Sequence, residues 1–289
     1  MLKRLFLLWL IMAALIVPAF GRNGPAPKRS FTFVEFWNNL TYYDTNIEKK
    51  GFASLLGRLE GKLGLNLFNS PLQLYGVYYS AISQNDSYWN NPLYSGVGVR
   101  YVPLESYAAQ GWMDEWLRGL KIYVETLNAS YYKNSASAEA AGLNNQDTRY
   151  GLEVWHEWNL DKPDRDVPWA ELWAKLGFRS TNFTATDFNS YILYLQPKVG
   201  RHIGKGVGAY LRLDLTYSGK DDYWLNVADY GVGVRFDPWR EGSGVNDLLR
   251  KFNMYVEFLA VTYLKDRPTD SNKEVSSDVR FGIDFSYGR

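Results

Sequence analysis

The sequence of 289 residues predicts an all-β fold, a transmembrane antiparallel β-barrel of about 12 strands. First, the chain divides into segments of period-2 alternation that are separated by polar or turn residues, as half-buried strands are. Second, aromatic residues make up 17% of the chain, although charged residues reach 22% and the mean hydropathy is only −0.32. Third, one half of the chain is repeated in the other, which predicts two six-stranded repeats with pseudo-two-fold symmetry.

The first 21 residues have the composition of a signal peptide. Lys3 and Arg4 precede an almost wholly apolar stretch from Leu5 to Phe20, and Ala19-Phe20-Gly21 is a small-x-small cleavage site. The apolar stretch is shorter than the roughly 20 residues that a membrane-spanning helix needs. We therefore favour a cleaved signal peptide over a membrane anchor.

Composition excludes several classes of function. Loss of Lys3 and Arg4 with the signal peptide changes the formal net charge from +1 to −1, so the mature chain has no basic excess for nucleic acid. The chain contains no cysteine, and no cluster of metal-ligand residues is apparent. We therefore predict no nucleic-acid partner, no metal and no cofactor. After residue 21 no long apolar run remains for a helical membrane span.

The repeat is clearest in one pair of segments. Tyr88 to Arg100 aligns without a gap with Tyr223 to Arg235, and both segments end in Gly-Val-Gly-Val-Arg. A shorter stretch, Arg149 to Val154, matches Arg280 to Phe285. We therefore expect a single barrel that is built by duplication. Its parts are a short periplasmic lead over 22–30, then the barrel over 31–289, with repeat one at 31–160 and repeat two at 161–289.

Six strands are predicted in each repeat, and each is about as long as, or longer than, the 9–11 residues that a tilted membrane strand requires. The first six are expected near 31–43, 53–67, 72–83, 92–102, 119–132 and 147–159. The second six are expected near 168–181, 190–200, 207–218, 225–237, 252–264 and 276–288. The even number follows the rule for bacterial outer-membrane barrels and places both termini in the periplasm.

Alternation assigns one face of each strand to lipid and the other to the lumen. In the last strand, Phe281, Ile283, Phe285 and Tyr287 share the face that we expect to meet lipid. A soluble sandwich would alternate as well, but it rarely has so many interfacial aromatics or so many glycines on its polar face. In lipid every backbone polar group must be paired within the protein, so strands cross a membrane only as a closed barrel.

Connections at the two ends of the predicted barrel differ. Those predicted to face outward are polar, as in 133–146 and 265–275. Two inward connections, 103–118 and 238–251, are longer, and each contains a short amphipathic stretch with helical spacing. We interpret these stretches as feet in the lipid headgroup zone, with docking of a periplasmic export or scaffold protein as the alternative. The residues concerned are Trp112, Trp116, Leu248 and Leu249.

The predicted lumen face carries charges of both signs together with tyrosines. Barrels of about 8 strands are filled and barrels of about 16–18 strands are open, so a count of twelve does not decide between a pore and a filled interior. In a pore, guanidinium groups would bind carboxylates or phosphates and aromatic rings would stack on sugars, which favours an anionic or saccharide solute. In a filled barrel, the same charges would pair as a structural ladder. The candidate residues are Arg100, Arg235, Arg149, Arg280, Arg212, Asp214, Tyr123, Tyr255, Glu125 and Glu257.

We predict that the protein is not an enzyme. Of its two histidines, His156 is expected on the lipid face and His202 in a solvated turn, Gly200 to Gly206. Neither is joined to a serine by a recognisable motif. A lipid-modifying barrel enzyme is therefore a remote alternative.

Two segments carry a resemblance to known outer-membrane proteins. Gly96 to Leu104 and Gly231 to Trp239, each followed by a strand that bears Glu125 or Glu257, resemble the C-terminal barrel of the bacteriophage adsorption protein A (NfrA) family. They resemble more loosely the barrels that end exopolysaccharide-export proteins. The resemblance implies a location in the bacterial outer membrane and a surface-receptor or polysaccharide-export role. In those families a long periplasmic helical-repeat region precedes the barrel, whereas here only Arg22 to Ser30 lie between the predicted signal peptide and the first predicted strand. A periplasmic scaffolding role would therefore require a separate chain.

Taken together, the sequence predicts an outer-membrane pore or export conduit that contacts lipid and conducts a saccharide or an anionic solute. The alternative is a non-conducting receptor or scaffold that binds partners through its outer loops and its periplasmic feet.

Overall fold

Twelve antiparallel strands form one closed barrel in a computed structural model of the chain. The structure describes residues 30–46, 54–67, 70–104, 117–142, 145–160, 167–183, 189–239, 251–266 and 275–288. The strands are β1 (Thr32–Thr45), β2 (Ser54–Asn66), β3 (Leu72–Ser83), β4 (Pro92–Tyr101), β5 (Lys121–Tyr131), β6 (Gln146–Trp158), β7 (Trp169–Thr181), β8 (Tyr191–Gly204), β9 (Val207–Ser218), β10 (Val227–Phe236), β11 (Phe252–Tyr263) and β12 (Ser277–Tyr287). The predicted all-β barrel is therefore confirmed.

Pairing of the first strand with the last closes the ring. β1 pairs with β12 from Phe36 opposite Tyr287 to Thr45 opposite Asp278. Each other strand pairs with its neighbours in sequence. Closure leaves no sheet edge, so the backbone groups of the strands bond within the barrel.

Strand pairs in the two halves have matching registers. In repeat one, Gly98 lies opposite Tyr75 on β3 and opposite Glu125 on β5. In repeat two, Gly233 lies opposite Tyr210 on β9 and opposite Glu257 on β11. The pseudo-two-fold axis itself stays a prediction.

The two faces of the strands are as the alternation predicts. Val97 and Val232 point outward and are 62% and 51% exposed, whereas Arg100 and Arg235 point inward and are buried. The outer face is a band of exposed apolar side chains that surrounds the barrel. It includes Leu40, Leu63, Leu74, Ile82, Val99, Val124, Leu176, Val199, Leu211, Val234, Met254, Phe258, Phe281 and Ile283.

The two ends of the barrel carry different connections. We call the end with the connections that follow odd-numbered strands the loop end, and the opposite end the turn end. The loop end contains a short helix, α1 (Ser135–Ala140), between β5 and β6. It also contains two 3-10 turns, Tyr88–Asn90 before β4 and Tyr223–Leu225 before β10. α1 lies within 133–146, where the sequence predicts a polar outward loop. Among the described residues, no helix is both long enough and apolar enough to cross a bilayer.

One predicted boundary is wrong. β8 continues to Gly204, beyond the expected end at residue 200, so His202 lies in a strand and not in a solvated turn. Its side chain points inward and is only 4% exposed, with its ring centroid 6.3 Å from that of Trp169. A glycine on either side suggested a turn, but packing against a buried tryptophan keeps the segment extended.

Several predictions fall on residues that the structure does not describe. The signal peptide, 1–21, lies outside the described residues. So do most of the two inward connections, including Trp112, Trp116, Leu248 and Leu249.

Candidate functional site

Glycines on the inner face make room for tyrosine rings. A Cβ atom at Gly98 would lie 2.5 Å from the ring of Tyr75, and a Cβ atom at Gly233 would meet the ring of Tyr210 as closely. Any larger residue would push these rings away from the barrel wall. Tyr75 and Tyr210 therefore lie against the neighbouring strand, where their hydroxyl groups reach Glu125 and Glu257.

Near the turn end of repeat one, Arg100 is fixed by groups from two other strands. Its terminal nitrogens donate to the two oxygens of Glu35 at 2.6 and 2.5 Å, and its Nε donates to Gln73 Oε1. Lys121 Nζ lies 3.4 Å from the same Glu35 carboxylate. The guanidinium carbon lies 4.5 Å from the centre of the Phe33 ring. This bidentate geometry is the strong form of an arginine–carboxylate pair.

Arg235 holds the corresponding place in repeat two with one more acidic partner. It pairs with Glu171 and also with Asp237, whose Oδ1 lies 2.9 Å from Nη2. Lys198 Nζ lies 3.2 Å from the other oxygen of Glu171. The guanidinium of Arg235 lies over the ring of Trp169, and Trp169 is almost fully buried.

Midway along repeat one, Glu125 collects hydrogen bonds from two tyrosines. Tyr75 and Tyr79 each donate a hydroxyl to Glu125 at 2.9 Å, and Lys62 Nζ lies 3.9 Å away. Lys62 also lies 3.6 Å from Glu153 on β6, so it links strands that are not neighbours in the ring. This side of the lumen is filled by a packed cluster. Its members are Tyr75, Val77 and Leu127, with Phe33, Tyr79 and Tyr94 against them.

In repeat two the corresponding wall is ionic. Glu257 accepts bonds from Tyr210 and Arg212, both at 2.6 Å. Arg280 pairs with Asp214 at 2.8 Å and with Asp278 at 2.6 Å, and it also pairs with Asp229. Short carboxylate side chains occupy less space than tyrosine rings. Repeat two therefore leaves the lumen less filled than repeat one does.

A cavity of about 560 Å³ lies inside the ring on this less filled side. Its walls come from β1, β2 and β6 to β12. The lining residues are Trp37, Asn39, Tyr43, Arg58, Glu60, Trp155, Glu171, Trp173, Tyr194, Gln196, Lys198, Arg212, Asp214, Thr216, Val227, Asp229, Tyr255, Arg280 and Asp284.

A second cavity of about 280 Å³ adjoins the first at the loop end. The two share Tyr43, Arg58, Val227 and Asp229. Tyr223 and Trp224, which belong to a 3-10 turn at that end, line the second cavity. The combined space therefore runs from the middle of the lumen towards the loop end.

All ten predicted lumen residues face the interior, but they separate into two groups. Arg212, Asp214, Tyr255 and Arg280 line the larger cavity. The other six do not line that cavity. Five of them are buried and Arg149 is half-buried, and the charged ones have partners in the wall. These six are Arg100, Arg149, Arg235, Tyr123, Glu125 and Glu257.

Sequence reasoning missed the aromatic part of the cavity. Trp37, Trp155 and Trp173 all line it. Each has the same parity as an inward glutamate two residues away on its strand, so the alternation rule was sufficient to place them in the lumen. Within the described residues, no group of three or more acidic or histidine side chains is arranged to hold a metal ion.

Comparison with known proteins gives similarity to outer-membrane barrels. No family model matches the chain, and no curated protein matches its sequence. A bacterial polysaccharide outer membrane secretin has a TM-score of 0.39 at 9% identity, covering 90% of this chain and 100% of its own. KdgM porin has 0.38 at 11%, covering 88% and 99%. The beta domain of the Bordetella autotransporter BrkA has 0.38 at 14%, covering 89% and 100%.

TM-scores this low support no conclusion about function. The likeness to outer-membrane barrels holds only in this loose sense. The finer resemblance to the bacteriophage adsorption protein A family stays a prediction.

Proposed function

We propose that the protein is an outer-membrane pore that admits small polar solutes, with saccharides favoured over anions. The observation that carries this proposal is the cavity of about 560 Å³ inside the closed ring, which adjoins a second cavity at the loop end. A barrel that used its interior only for structural packing would have no need of such a space. Its polar lining suits a hydrated solute.

The outer surface supports a membrane location. A soluble monomer rarely exposes a contiguous apolar patch of more than a few hundred Å². Here exposed valine, leucine, isoleucine and phenylalanine side chains form a band around the barrel, while most charged groups of the strands turn inward. Lipid is the partner that suits such a band, and a barrel in lipid is typical of the bacterial outer membrane.

The charge pattern argues against a dedicated anion path. Four cationic residues line the larger cavity against five carboxylates. The arginines that the sequence suggested for anion binding already have partners, as Arg100 has in Glu35 and Arg235 has in Glu171. Such a lining carries no excess positive charge to attract an anion, and it offers polar groups to a neutral solute.

Planar-bilayer recording of the refolded mature chain tests the pore. We expect discrete conductance steps in potassium chloride, and liposomes that contain the protein should swell in small sugars. Heat-denatured protein added in the same detergent is the control. A properly folded barrel that leaves the current at the lipid baseline would refute the pore.

A second candidate function is a non-conducting receptor or scaffold. The observation in its favour is the set of bonds that cross the lumen, such as Lys62 on β2 to Glu153 on β6. If these bonds close the turn end, the loops and feet would bind partners without transport. Absence of conductance together with saturable binding of a periplasmic protein or surface ligand would favour this function.

We also propose that the protein is not an enzyme. His156 points outward beside Trp158, with ring centroids 4.4 Å apart, and His202 lies in the wall. We expect no turnover of phospholipid or lipopolysaccharide by the refolded protein. Turnover that is lost on replacing both histidines with alanine would contradict this expectation.

A further inference from the structure

Two tryptophans in the larger cavity each have a polar neighbour in the adjacent strand. Trp37 on β1 lies directly opposite Glu60 on β2. Trp173 on β7 lies directly opposite Gln196 on β8. All four side chains line the cavity. Each pair thus presents an indole ring next to a carboxylate or an amide.

The two pairs lie on opposite walls of the barrel. β1 and β7 are six positions apart in a ring of twelve strands, so they are diametrically opposed. Both run in the same direction, and Trp37 and Trp173 are the sixth and fifth residues of their strands. They therefore lie at similar heights. Since one cavity touches both walls, it spans the width between the tryptophans.

The Trp173 ring is held in place by its surroundings. Its Nε1 donates to Glu153 at 3.0 Å. Its ring stacks on Tyr194, with centroids 5.8 Å apart and planes 25° apart, and Trp155 lies opposite it in the β6–β7 register. An aromatic platform that is fixed before a ligand arrives costs little conformational entropy on binding.

Pyranose rings have the chemistry that such an arrangement recognises. A pyranose presents C–H groups on its faces and hydroxyl groups around its rim. Indole faces cover the C–H groups, while a carboxylate accepts, and an amide both donates and accepts, hydrogen bonds with the hydroxyls. The cavity lining has five carboxylates against four cations, so it offers no excess positive charge for a carboxylate on the sugar.

We propose that Trp37 with Glu60 and Trp173 with Gln196 form a clamp that binds one neutral pyranose unit of a saccharide in the lumen. This proposal rests on the proposed function, because the sugar must enter the lumen to reach the clamp. It names a neutral sugar as the solute and four side chains that recognise it.

Current block by maltohexaose is the first test, with single-channel recording of wild type, Trp37→Ala and Trp173→Ala. We expect concentration-dependent block of the wild type and at least about tenfold weaker block in each variant, since a buried aromatic anchor commonly contributes that much. Trp89→Ala is the matched control, because Trp89 lies in a 3-10 turn at the loop end and is 61% exposed. It should leave the block unchanged.

Equilibrium binding is the second test and does not need conductance. Isothermal titration of maltohexaose into the detergent-solubilised barrel should give binding that Trp173→Ala weakens by a similar factor. Gln196→Ala, which removes an amide and no aromatic ring, should weaken binding by about threefold or more and guards against loss of folding in the tryptophan variants.

The outcomes separate the clamp from the pore. Conductance with block that is the same in wild type and variants would overturn the clamp and leave the pore intact. No conductance, with sugar binding that depends on Trp173, would overturn the pore and support the clamp as a receptor site. Tighter block by hexagalacturonate than by maltohexaose would overturn the assignment to neutral sugars, and equal block by polyethylene glycol of similar mass would overturn recognition of a sugar ring.

Discussion

The two repeats hold a corresponding arginine in different surroundings. In repeat one, the guanidinium of Arg149 pairs with Asp147 at 2.8 Å and lies 5.4 Å and 4.8 Å from the ring centres of Tyr79 and Tyr94. In repeat two, Arg280 forms ion pairs with three aspartates. Two of these aspartates replace the tyrosines, since Tyr79 is paired with Tyr94 across β3 and β4 just as Asp214 is paired with Asp229 across β9 and β10.

The same strand arrangement can therefore either fill the lumen beside one wall or leave a cavity there. Each guanidinium keeps one aspartate two residues before it, Asp147 or Asp278. The remaining contacts differ, because repeat one supplies aromatic faces and repeat two supplies two more carboxylates. The aromatic solution fills the lumen with rings, whereas the carboxylate solution leaves volume in front of it. Asp214 and Asp229 line the cavity, and Tyr79 belongs to the packed cluster.

The largest effect is expected on stability, when Glu35 and Glu171 at the turn end are each replaced with alanine. Glu35→Ala should reduce the free energy of unfolding by about 3–5 kcal/mol, because Arg100 then loses both of its bonds to a carboxylate and keeps the neutral Gln73. Glu171→Ala should cost about 1–2 kcal/mol less, because Arg235 keeps Asp237. Urea unfolding in lipid vesicles, followed by tryptophan fluorescence, measures both. Equal losses would show that Asp237 does not compensate.

The second-largest effect is expected on conductance, when the two aspartates of repeat two and the two tyrosines of repeat one are exchanged. In the Asp214→Tyr/Asp229→Tyr variant, two rings would enter the cavity and Arg280 would lie over them, as Arg149 does in repeat one. We expect single-channel conductance to fall by at least about twofold. The reciprocal control is Tyr79→Asp/Tyr94→Asp, which should raise it. Unchanged conductance in both would place the solute path elsewhere.

At the loop end the two repeats make the same hydrogen bonds, so we expect a smaller loss of stability that is equal in both repeats. Asn91 accepts a bond from the Ser83 amide at 2.9 Å, and Asn226 accepts one from the Ser218 amide at 3.0 Å. Each asparagine also donates to two backbone carbonyls of its own connection. Asn91→Ala and Asn226→Ala should each lower the free energy of unfolding by about 1–3 kcal/mol. A clear inequality in the same urea assay would extend the difference between the repeats to the loop end.

The smallest effect concerns ion preference. Asp229→Asn removes one of the carboxylates that pair with Arg280 and line both cavities. The reversal potential in a potassium chloride gradient should shift slightly towards anion preference, since the local field becomes more positive. Tyr94→Phe, at the corresponding position in repeat one, is the control and should cause no shift. A shift towards cations would contradict this account of the wall.

Local pattern was sufficient for most of the fold. Strand positions and inward parity follow from period-2 alternation, which each strand carries in its own residues. The end of β8 did not follow from pattern, because glycines beside His202 suggested a turn whereas its contact with Trp169 comes from another strand. Trp37 and Trp173 had the parity of the lumen, but their opposition across one cavity depends on where β1 and β7 lie in the ring.

Period-2 alternation alone predicts the barrel class, the strand positions and the inward face of the ten candidate lumen residues. Which of those charges are enclosed in pairs and which border open space depends on the folded barrel. Arg100 and Arg212 look alike in sequence, yet the first is enclosed by Glu35 and Gln73, and the second lines the cavity beside Asp214. The physical reason is that side-chain volume and pairing across the lumen depend on strands that are far apart in the chain, and a periodic pattern contains no record of these contacts.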